Sequence, residues 1–255
     1  MAESGAGGGP HPDRAALFLD FDGTLVEIAS TPDAVVVAPE LPALLSGLRD
    51  KLGGALAIVT GRPIVGIDGF LVGLGLDACG MHGLERRIGG RVSFPAGTAD
   101  ITPAIEELRA RLSRHPGVII EDKRVAVAVH WRTAPEAEAD ARAATDELAA
   151  ELGPAYKIQD GKAVREIVPV SAGKGEGIRA LMRAAPYAGR SPIFIGDDKT
   201  DEHGFEAVND LGGTSVKIGP GDTLARYRLP SPAALHDLMR SWLGEGLTGR
   251  DLPPA

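Results

Sequence analysis

Residues 15–25, AALFLDFDGTL, establish the architecture of this chain. The five apolar residues at the start predict a buried strand that ends at Asp20. A second carboxylate, Asp22, follows two residues later, and Gly23 permits the chain to turn there. A buried strand that ends in polar residues is typical of the ligand-binding edge of an open α/β sheet.

Two further apolar runs end in the same way. Residues 55–59 are followed by Thr60, Gly61 and Arg62, and residues 191–195 are followed by Gly196 and a group of aspartates. A third, shorter run at 76–79 ends at Gly80. The segments between these runs have apolar residues at helical spacing, so we predict an α/β fold with a Rossmann-like parallel sheet. The polar strand ends should then meet at one edge of that sheet.

The middle of the chain has a different order of predicted elements, in which a helix followed by two short strands occurs twice. Helices are predicted over 101–112 and 135–152, and the strand pairs lie at 118–130 and 156–168. This order favours an antiparallel sheet with helices on one face. We therefore predict a core of residues 15–98 and 172–255, an inserted smaller α+β cap domain at 99–171 and a disordered Gly-rich tail at 1–14.

The charge composition of the chain limits the classes of partner that it is expected to bind. The 255 residues include 27 Lys and Arg and 35 Asp and Glu, a formal net charge of −8. This balance argues against a nucleic acid or an anionic membrane surface as the main partner, and no stable protein partner is implied. The single cysteine, Cys79, is predicted to be a small buried residue, and its lack of an internal partner favours a reducing, cytoplasmic location.

The strand ends would bring up to five carboxylates together, at Asp20, Asp22, Asp197, Asp198 and Asp201. Two unit charges about 4 Å apart repel by about 4 kcal/mol at an effective dielectric constant of about 20, so such a cluster requires a cation. Oxygen ligands without a His or Cys set favour Mg²⁺. Because bound Mg²⁺ often completes its shell with substrate phosphate oxygens, the pattern indicates phosphoryl chemistry.

The motif residues have properties that suit such chemistry. An aspartate such as Asp20 can attack phosphorus and form an aspartyl-phosphate. The second aspartate, Asp22, can protonate the leaving oxygen and then take a proton from the attacking water. The Thr60 hydroxyl can donate to a phosphate oxygen, and Lys174 can offset the charge that develops during transfer.

At this point a family resemblance is visible. The segments Asp20-x-Asp22-Gly-Thr-Leu, Thr60-Gly-Arg62, Lys174 and Gly196-Asp-Asp-x-Thr-Asp-Glu202 resemble, in order, the four signatures of the haloacid dehalogenase-like phosphatases. The resemblance implies Asp20 as nucleophile, Asp22 as general acid/base, and Thr60, Gly61 and Lys174 as phosphate ligands. It also implies a Mg²⁺ site made by Asp20, the backbone carbonyl of Asp22, Asp197 and Asp198, with Asp201 supporting the ligands from a second shell.

Further segments resemble the trehalose-6-phosphate phosphatases within that superfamily. They are Met81-His-Gly-Leu-Glu85, Glu121-Asp-Lys123, His130-Trp-Arg132, Gly161-Lys162 and Glu166-Ile-Val-Pro169. The resemblance implies Mg²⁺-dependent hydrolysis of a small-molecule sugar phosphate, trehalose 6-phosphate, in trehalose biosynthesis. Its substrate-binding residues would be Arg62, Glu121, Lys123, Arg132, Lys162 and Glu166.

Other functions remain open at the level of sequence. The same core could act on another sugar phosphate, such as sucrose 6-phosphate or a glycosyl-glycerate phosphate, or serve a phosphomutase. A catalytically silent sugar-phosphate sensor should have lost Asp20 or Asp22, and this chain has both. An acidic scaffold domain would not require carboxylates clustered at the ends of buried strands.

Overall fold

A computed structural model describes residues 14–29, 34–95, 98–161, 163–245 and 252–255. The predicted tail, apart from Arg14, and the predicted substrate ligand Lys162 lie outside the described residues. The chain divides into two compact units, a larger one within Met1–Ser93 and Gly173–Ala255 and a smaller one of Phe94–Ala172. The sequence places these junctions at 98/99 and 171/172.

The described part of the larger unit contains an eight-stranded sheet. Its strands are β1 (Ala15–Leu19), β2 (Leu56–Val59), β3 (Asp77–Gly80), β4 (Glu85–Ile88), β5 (Arg91–Ser93), β10 (Ser191–Gly196), β11 (Thr214–Ile218) and β12 (Tyr227–Leu229). They lie in the order β12-β11-β10-β1-β2-β3-β4-β5. The pairs from β12 to β3 are parallel, and β4 and β5 add antiparallel strands at one edge. This arrangement confirms the predicted fold class.

Helices accompany this sheet, and their apolar faces pack into its core. They are α1 (Leu41–Lys51), α2 (Ile64–Phe70), α5 (Lys174–Leu181), α6 (Glu202–Asp210) and α7 (Pro232–Glu245). Helix α1 buries Leu41, Leu44, Leu45 and Leu48, which recur at the spacing of one helical face. The central strand β1 is buried at all five positions, as a strand with helices on both sides of its sheet must be.

The described residues of the smaller unit form a four-stranded antiparallel sheet and two α-helices. Its elements are α3 (Thr102–Arg111), β6 (Ile119–Asp122), β7 (Val127–His130), α4 (Glu138–Leu152), β8 (Tyr156–Gly161) and β9 (Val164–Pro169), and its strands lie in the order β6-β7-β9-β8. Ile105 and Leu108 of α3 and Leu148 of α4 share a core with Val127 and Val129 of β7. The doubled helix–strand–strand order matches the predicted α+β unit.

Two elements are not anticipated from the sequence. Helix α2 occupies part of the Gly-rich segment 66–75, and β12 is a three-residue strand next to β11. Among the described residues, no helix has the length and apolar character needed to cross a membrane.

Candidate active site

The three polar strand ends lie side by side because β10, β1 and β2 are neighbours in the sheet. The backbone N–H of Asp20 donates to Ile195 O at 2.9 Å, and that of Thr60 donates to Cys79 O at 2.8 Å. The hydrogen-bond ladder of the sheet therefore extends one residue beyond β1 and one residue beyond β2. These ends open onto a cleft of about 370 Å³, lined by Asp20, Asp22, Ile28, Thr60, Gly61, His82, Lys174, Asp197, Asp198 and Thr200.

Lys174 joins two of the carboxylates inside this cleft. Its ammonium lies 3.0 Å from Asp20 Oδ1 and 2.6 Å from Asp201 Oδ1, and all three side chains are buried. Lys174 is the first residue of α5, and the preceding Gly173 adopts a φ of +146° that favours glycine. The N–H of Gly173 donates to His82 O at 2.7 Å, which ties the start of the helix to the loop after β3.

Asp201 organises the loop after β10. Its Oδ2 accepts the backbone N–H groups of Asp197 and Asp198, each at 3.0 Å, while Oδ1 accepts from Lys174. Asp198 and Asp201 also form a capping box at the short helical turn Lys199–Asp201. With both oxygens already engaged, Asp201 is placed to hold the loop that carries Asp197.

Three carboxylates are clustered closely enough to hold one ion. Single oxygens of Asp20, Asp197 and Asp201 lie within 4.8 Å of one another. Burial raises the pKa of the Asp20 carboxyl well above its ordinary value, against the opposing charge of Lys174. Burial and the charge of Asp201 raise the pKa of Asp197 to about 6. The cluster therefore holds its negative charge poorly without a cation.

Lys174 itself remains strongly protonated. Burial lowers the pKa of its ammonium, but the charges of Asp20 and Asp201 outweigh burial, and the pKa is raised above its ordinary value. The side chain is thus a fixed positive charge beside Asp20.

The turn after β1 is built tightly around Asp197. Thr24 Oγ1 donates to Asp197 Oδ1 at 3.2 Å. Gly23 adopts a φ of +73°, and a Cβ at this position would lie 2.0 Å from Asp197 Oδ2. Only glycine satisfies both the backbone conformation and the available space at position 23.

The donor set fits a hard divalent cation. The carboxylates of Asp20 and Asp197 face the same space, and the described cleft-lining residues contribute oxygen donors rather than a His and Cys set. The side chains of the other two predicted metal residues lie elsewhere: both oxygens of Asp22 contact Arg62, at 2.6 and 2.7 Å, and Asp198 lines the cleft outside the three-carboxylate cluster.

The predicted sugar-binding residues of the smaller unit fall into two groups. Lys123 Nζ lies 2.8 Å from Glu166 Oε1 and 3.9 Å from Glu121 Oε2. These two glutamates are brought together because both pair with Ala128 of β7 in the sheet. Arg132 instead lines a separate pocket of about 500 Å³, with Trp131, Pro135, Glu138 and Ala163.

One residue next to the cleft was not anticipated. Lys217 of β11 is buried, and its ammonium donates to the backbone carbonyls of Asp197 and Ile218. The sequence feature that could have indicated this role is a lysine within the buried strand TSVKI. Its side chain adds a positive charge and a direct contact to the backbone of the Asp197 loop.

With this geometry established, comparison with known proteins is informative. The sequence model of the trehalose-phosphatase family matches residues 18–233. The chain belongs to the trehalose-phosphatase family. The matched range takes in all three strand ends and Lys174.

Curated relatives agree with membership of the trehalose-phosphatase family. A Sinorhizobium fredii protein named "probable trehalose-phosphate phosphatase" is 48% identical over 230 residues, which cover 89% of this chain and 87% of that protein. The trehalose-6-phosphate phosphatase of Escherichia coli is 42% identical over 235 residues, 90% of this chain and 85% of the relative. Among solved structures, trehalose-6-phosphate phosphatase from Aspergillus fumigatus superposes with a TM-score of 0.68 at 27% identity, covering 90% of this chain and 92% of the other.

Proposed function

We propose that this chain is a Mg²⁺-dependent phosphatase that hydrolyses trehalose 6-phosphate to trehalose and phosphate. The observation that carries the proposal is the placement of Asp20, buried at the end of β1, 3.0 Å from Lys174 and clustered with Asp197. The family match and the Escherichia coli relative supply the substrate.

In the first half-reaction, a carboxylate oxygen of Asp20 attacks the phosphorus and forms an aspartyl-phosphate. The bond between phosphorus and the sugar oxygen breaks, and Asp22 delivers a proton to that oxygen. Thr60, Gly61 and Lys174 line the same cleft and donate hydrogen bonds to the phosphate oxygens.

In the second half-reaction, a water attacks the phosphorus of the aspartyl-phosphate while Asp22 takes its proton. The bond to Asp20 breaks, phosphate leaves, and both aspartates return to their starting states. The fixed charge of Lys174 favours both steps because negative charge develops on the same phosphate oxygens.

We propose that Asp20, Asp197, Asp198 and the backbone carbonyl of Asp22 hold the Mg²⁺, with Asp201 positioning the loop of Asp197. When bound, the ion neutralises charge on the phosphate and on the carboxylate cluster. Its charge would oppose the effects of burial and of the Asp201 charge, which together raise the pKa of Asp197 to about 6.

We further propose that the smaller unit is the cap that selects the sugar. Glu121, Lys123 and Glu166 present charged groups that form strong hydrogen bonds with hydroxyls, and Lys162 and Arg132 would extend this set. The physiological setting would be trehalose biosynthesis in the cytoplasm.

The test is phosphate release from trehalose 6-phosphate, compared with glucose 6-phosphate, sucrose 6-phosphate, a glycosyl-glycerate phosphate and an aryl phosphate. We expect trehalose 6-phosphate to be preferred, EDTA to abolish turnover and Mg²⁺ to restore it. Asp20→Asn should be folded and inactive, whereas Asp50→Asn, on a side chain 70% exposed, should match the wild type. Equal turnover of all five substrates would contradict the substrate assignment, and metal-independent turnover would contradict the metal site.

A further inference from the structure

The guanidinium of Arg62 engages the carboxylate of Asp22 with two parallel hydrogen bonds. Arg62 Nε donates to Asp22 Oδ2 at 2.6 Å, and Nη2 donates to Oδ1 at 2.7 Å. The Arg62 side chain is 16% exposed, so solvent screens this pair only partly. A two-bond contact fixes the plane of the carboxylate as well as its distance.

The guanidinium also contacts two neighbouring aromatic rings. Its central carbon lies 5.7 Å from the ring centroid of Phe21 and 4.9 Å from that of Phe70, and the two rings are 5.5 Å apart. Cation–π contact with both rings restricts the rotation of the guanidinium. The flat group is therefore presented to Asp22 in one orientation.

The backbone of Arg62 is fixed to the loops that form the cleft. Its N–H donates to Thr60 Oγ1 at 3.2 Å, and its carbonyl accepts the N–H of Met81 at 2.8 Å. Arg62 thus connects the loop after β2, which carries the predicted phosphate ligand Thr60, with the turn after β1, which carries Asp22.

We propose that Arg62 is a positioning residue for Asp22, and that it acts on the reaction through this carboxylate rather than as a ligand of the sugar. The inference rests on the proposed function, in which Asp22 transfers protons in both half-reactions. A proton donor must be aligned with the leaving oxygen, and displacements of about 1 Å can cost about 100-fold in rate. The fork of Arg62 and its two aromatic neighbours provide that alignment.

Arg62→Lys is the decisive variant because it keeps the positive charge and removes the fork. We expect kcat to fall about 10- to 100-fold while KM stays within about threefold of the wild-type value. Arg62→Ala should behave like Arg62→Lys. If KM instead rises more than about tenfold with kcat preserved, Arg62 is a substrate ligand and the proposal is wrong. If Arg62→Lys keeps the wild-type rate, the charge alone is sufficient and the proposal is also wrong.

A double-mutant cycle with Asp22→Asn separates action through Asp22 from a general effect on the site. In the Asp22→Asn background, Arg62→Lys should change the residual rate less than about twofold, measured with enzyme in excess so that slow turnover is counted. If Arg62→Lys lowers the rate by the same factor in the Asp22→Asn background as in the wild type, the two residues act independently and the proposal is wrong. Phe70→Leu, which removes one aromatic neighbour, should give a smaller loss of kcat that also disappears in the Asp22→Asn background.

Thermal melts followed by circular dichroism show whether each variant is folded. If Arg62→Lys does not fold, Phe70→Leu still tests whether the orientation of Arg62 affects the reaction through Asp22. The cycle is run with trehalose 6-phosphate and with p-nitrophenyl phosphate. Failure of wild-type protein on trehalose 6-phosphate alone would contradict the substrate assignment, whereas additive losses on either substrate would contradict only the role of Arg62.

Discussion

At Gly23 both the backbone conformation and the surrounding space require a glycine. Its φ of +73° disfavours any side chain, and a Cβ would collide with the Asp197 carboxylate. We predict that Gly23→Ala lowers kcat/KM at least about 100-fold, because the carboxylate of Asp197, a proposed metal ligand, must move. Phosphate release on variants checked for folding by circular dichroism measures the effect.

Gly73→Ala is the matched control for that substitution. Its φ of +79° is nearly the same, but nothing lies within 4 Å of the added Cβ. Backbone strain should be equal in the two variants, so only Gly23→Ala should lose activity. Equal losses of activity would show that strain, and not the collision with Asp197, is responsible.

The prediction that Cys79 is a buried residue is confirmed. Burial raises the pKa of its thiol to about 12, above the ordinary value of 9.0. The unfolded chain therefore loses this proton at lower pH than the folded protein, and unfolding becomes easier as pH rises above about 9. We predict that Cys79 lowers the free energy of unfolding by about 1 kcal/mol between pH 8 and pH 10.

Urea denaturation of wild type and Cys79→Ala at both pH values measures this contribution. The wild type should lose more stability than the variant over the same interval, because other titrating groups are common to both. A thiol reagent at pH 8 should leave the folded protein unmodified and react after denaturation. Rapid modification of the folded protein would contradict the burial of Cys79.

At the scale of elements, α2 depends on side chains from β4. Glu85 Oε2 accepts the N–H of Ile64 at 2.9 Å, which satisfies a free donor at the start of the helix. Arg87 makes two hydrogen bonds to Asp68, at 2.6 and 2.7 Å, and its Nε donates to Leu76 O at 2.8 Å. These contacts hold a seven-residue helix that would not be stable alone.

We predict that Asp68→Ala lowers the free energy of unfolding by about 1–3 kcal/mol, because it leaves the nearly buried Arg87 without its carboxylate partner. Asp50→Ala breaks the exposed pair with Arg49 and should cost less than about 0.5 kcal/mol. Chemical denaturation compares the two variants. Similar losses for both would mean that Asp68 and Arg87 act as an ordinary surface pair.

Helix α2 also shows which secondary-structure elements cannot be predicted from the sequence. Strand β1 is predicted at its observed bounds because a continuous apolar run has few alternatives. Helix α2 contains two glycines, and its local preference is weak. Its stability comes from Glu85 and Arg87, which lie well over ten residues further along the chain, and such contacts leave no local pattern.

At the scale of the whole molecule, part of the net charge of −8 comes from carboxylates clustered at one site. Asp20, Asp197 and Asp201 crowd one end of the sheet, where a bound cation would offset their repulsion. We predict that Asp197→Asn melts at a higher temperature than wild type in EDTA, because one buried like charge is removed. In Mg²⁺ the order should reverse, since only the wild type keeps its full ligand set.

Thermal melts of both proteins with EDTA and across a Mg²⁺ series test this reversal. Saturation at about 100 times Kd should stabilise the wild type by about 2.7 kcal/mol. Ca²⁺ serves as a comparison for ion size. Equal Mg²⁺ shifts in wild type and Asp197→Asn would place the ion elsewhere.

The sequence predicts the overall plan and the residues that meet, because parallel strands carry their carboxyl ends to one edge. Asp20, Thr60 and Asp197 follow from that rule, and the structure brings them to one cleft. Which side chains pair within the cleft does not follow from it. The contacts of Arg62 with Asp22 and of Lys217 with the Asp197 carbonyl depend on rotamers and loop paths set by the packed fold.

The order of strands in the larger sheet has a consequence for biosynthesis. β1 lies between β2 and β10, and its partner residues on β10 run from Ser191 to Ile195. The ribosome therefore produces β1 before the smaller unit and its partner β10 only after the whole smaller unit. At about 5–20 residues per second, this interval lasts on the order of ten to thirty seconds. During that time the edge of β1 that will pair with β10 has no partner strand, and chaperones can bind this apolar edge.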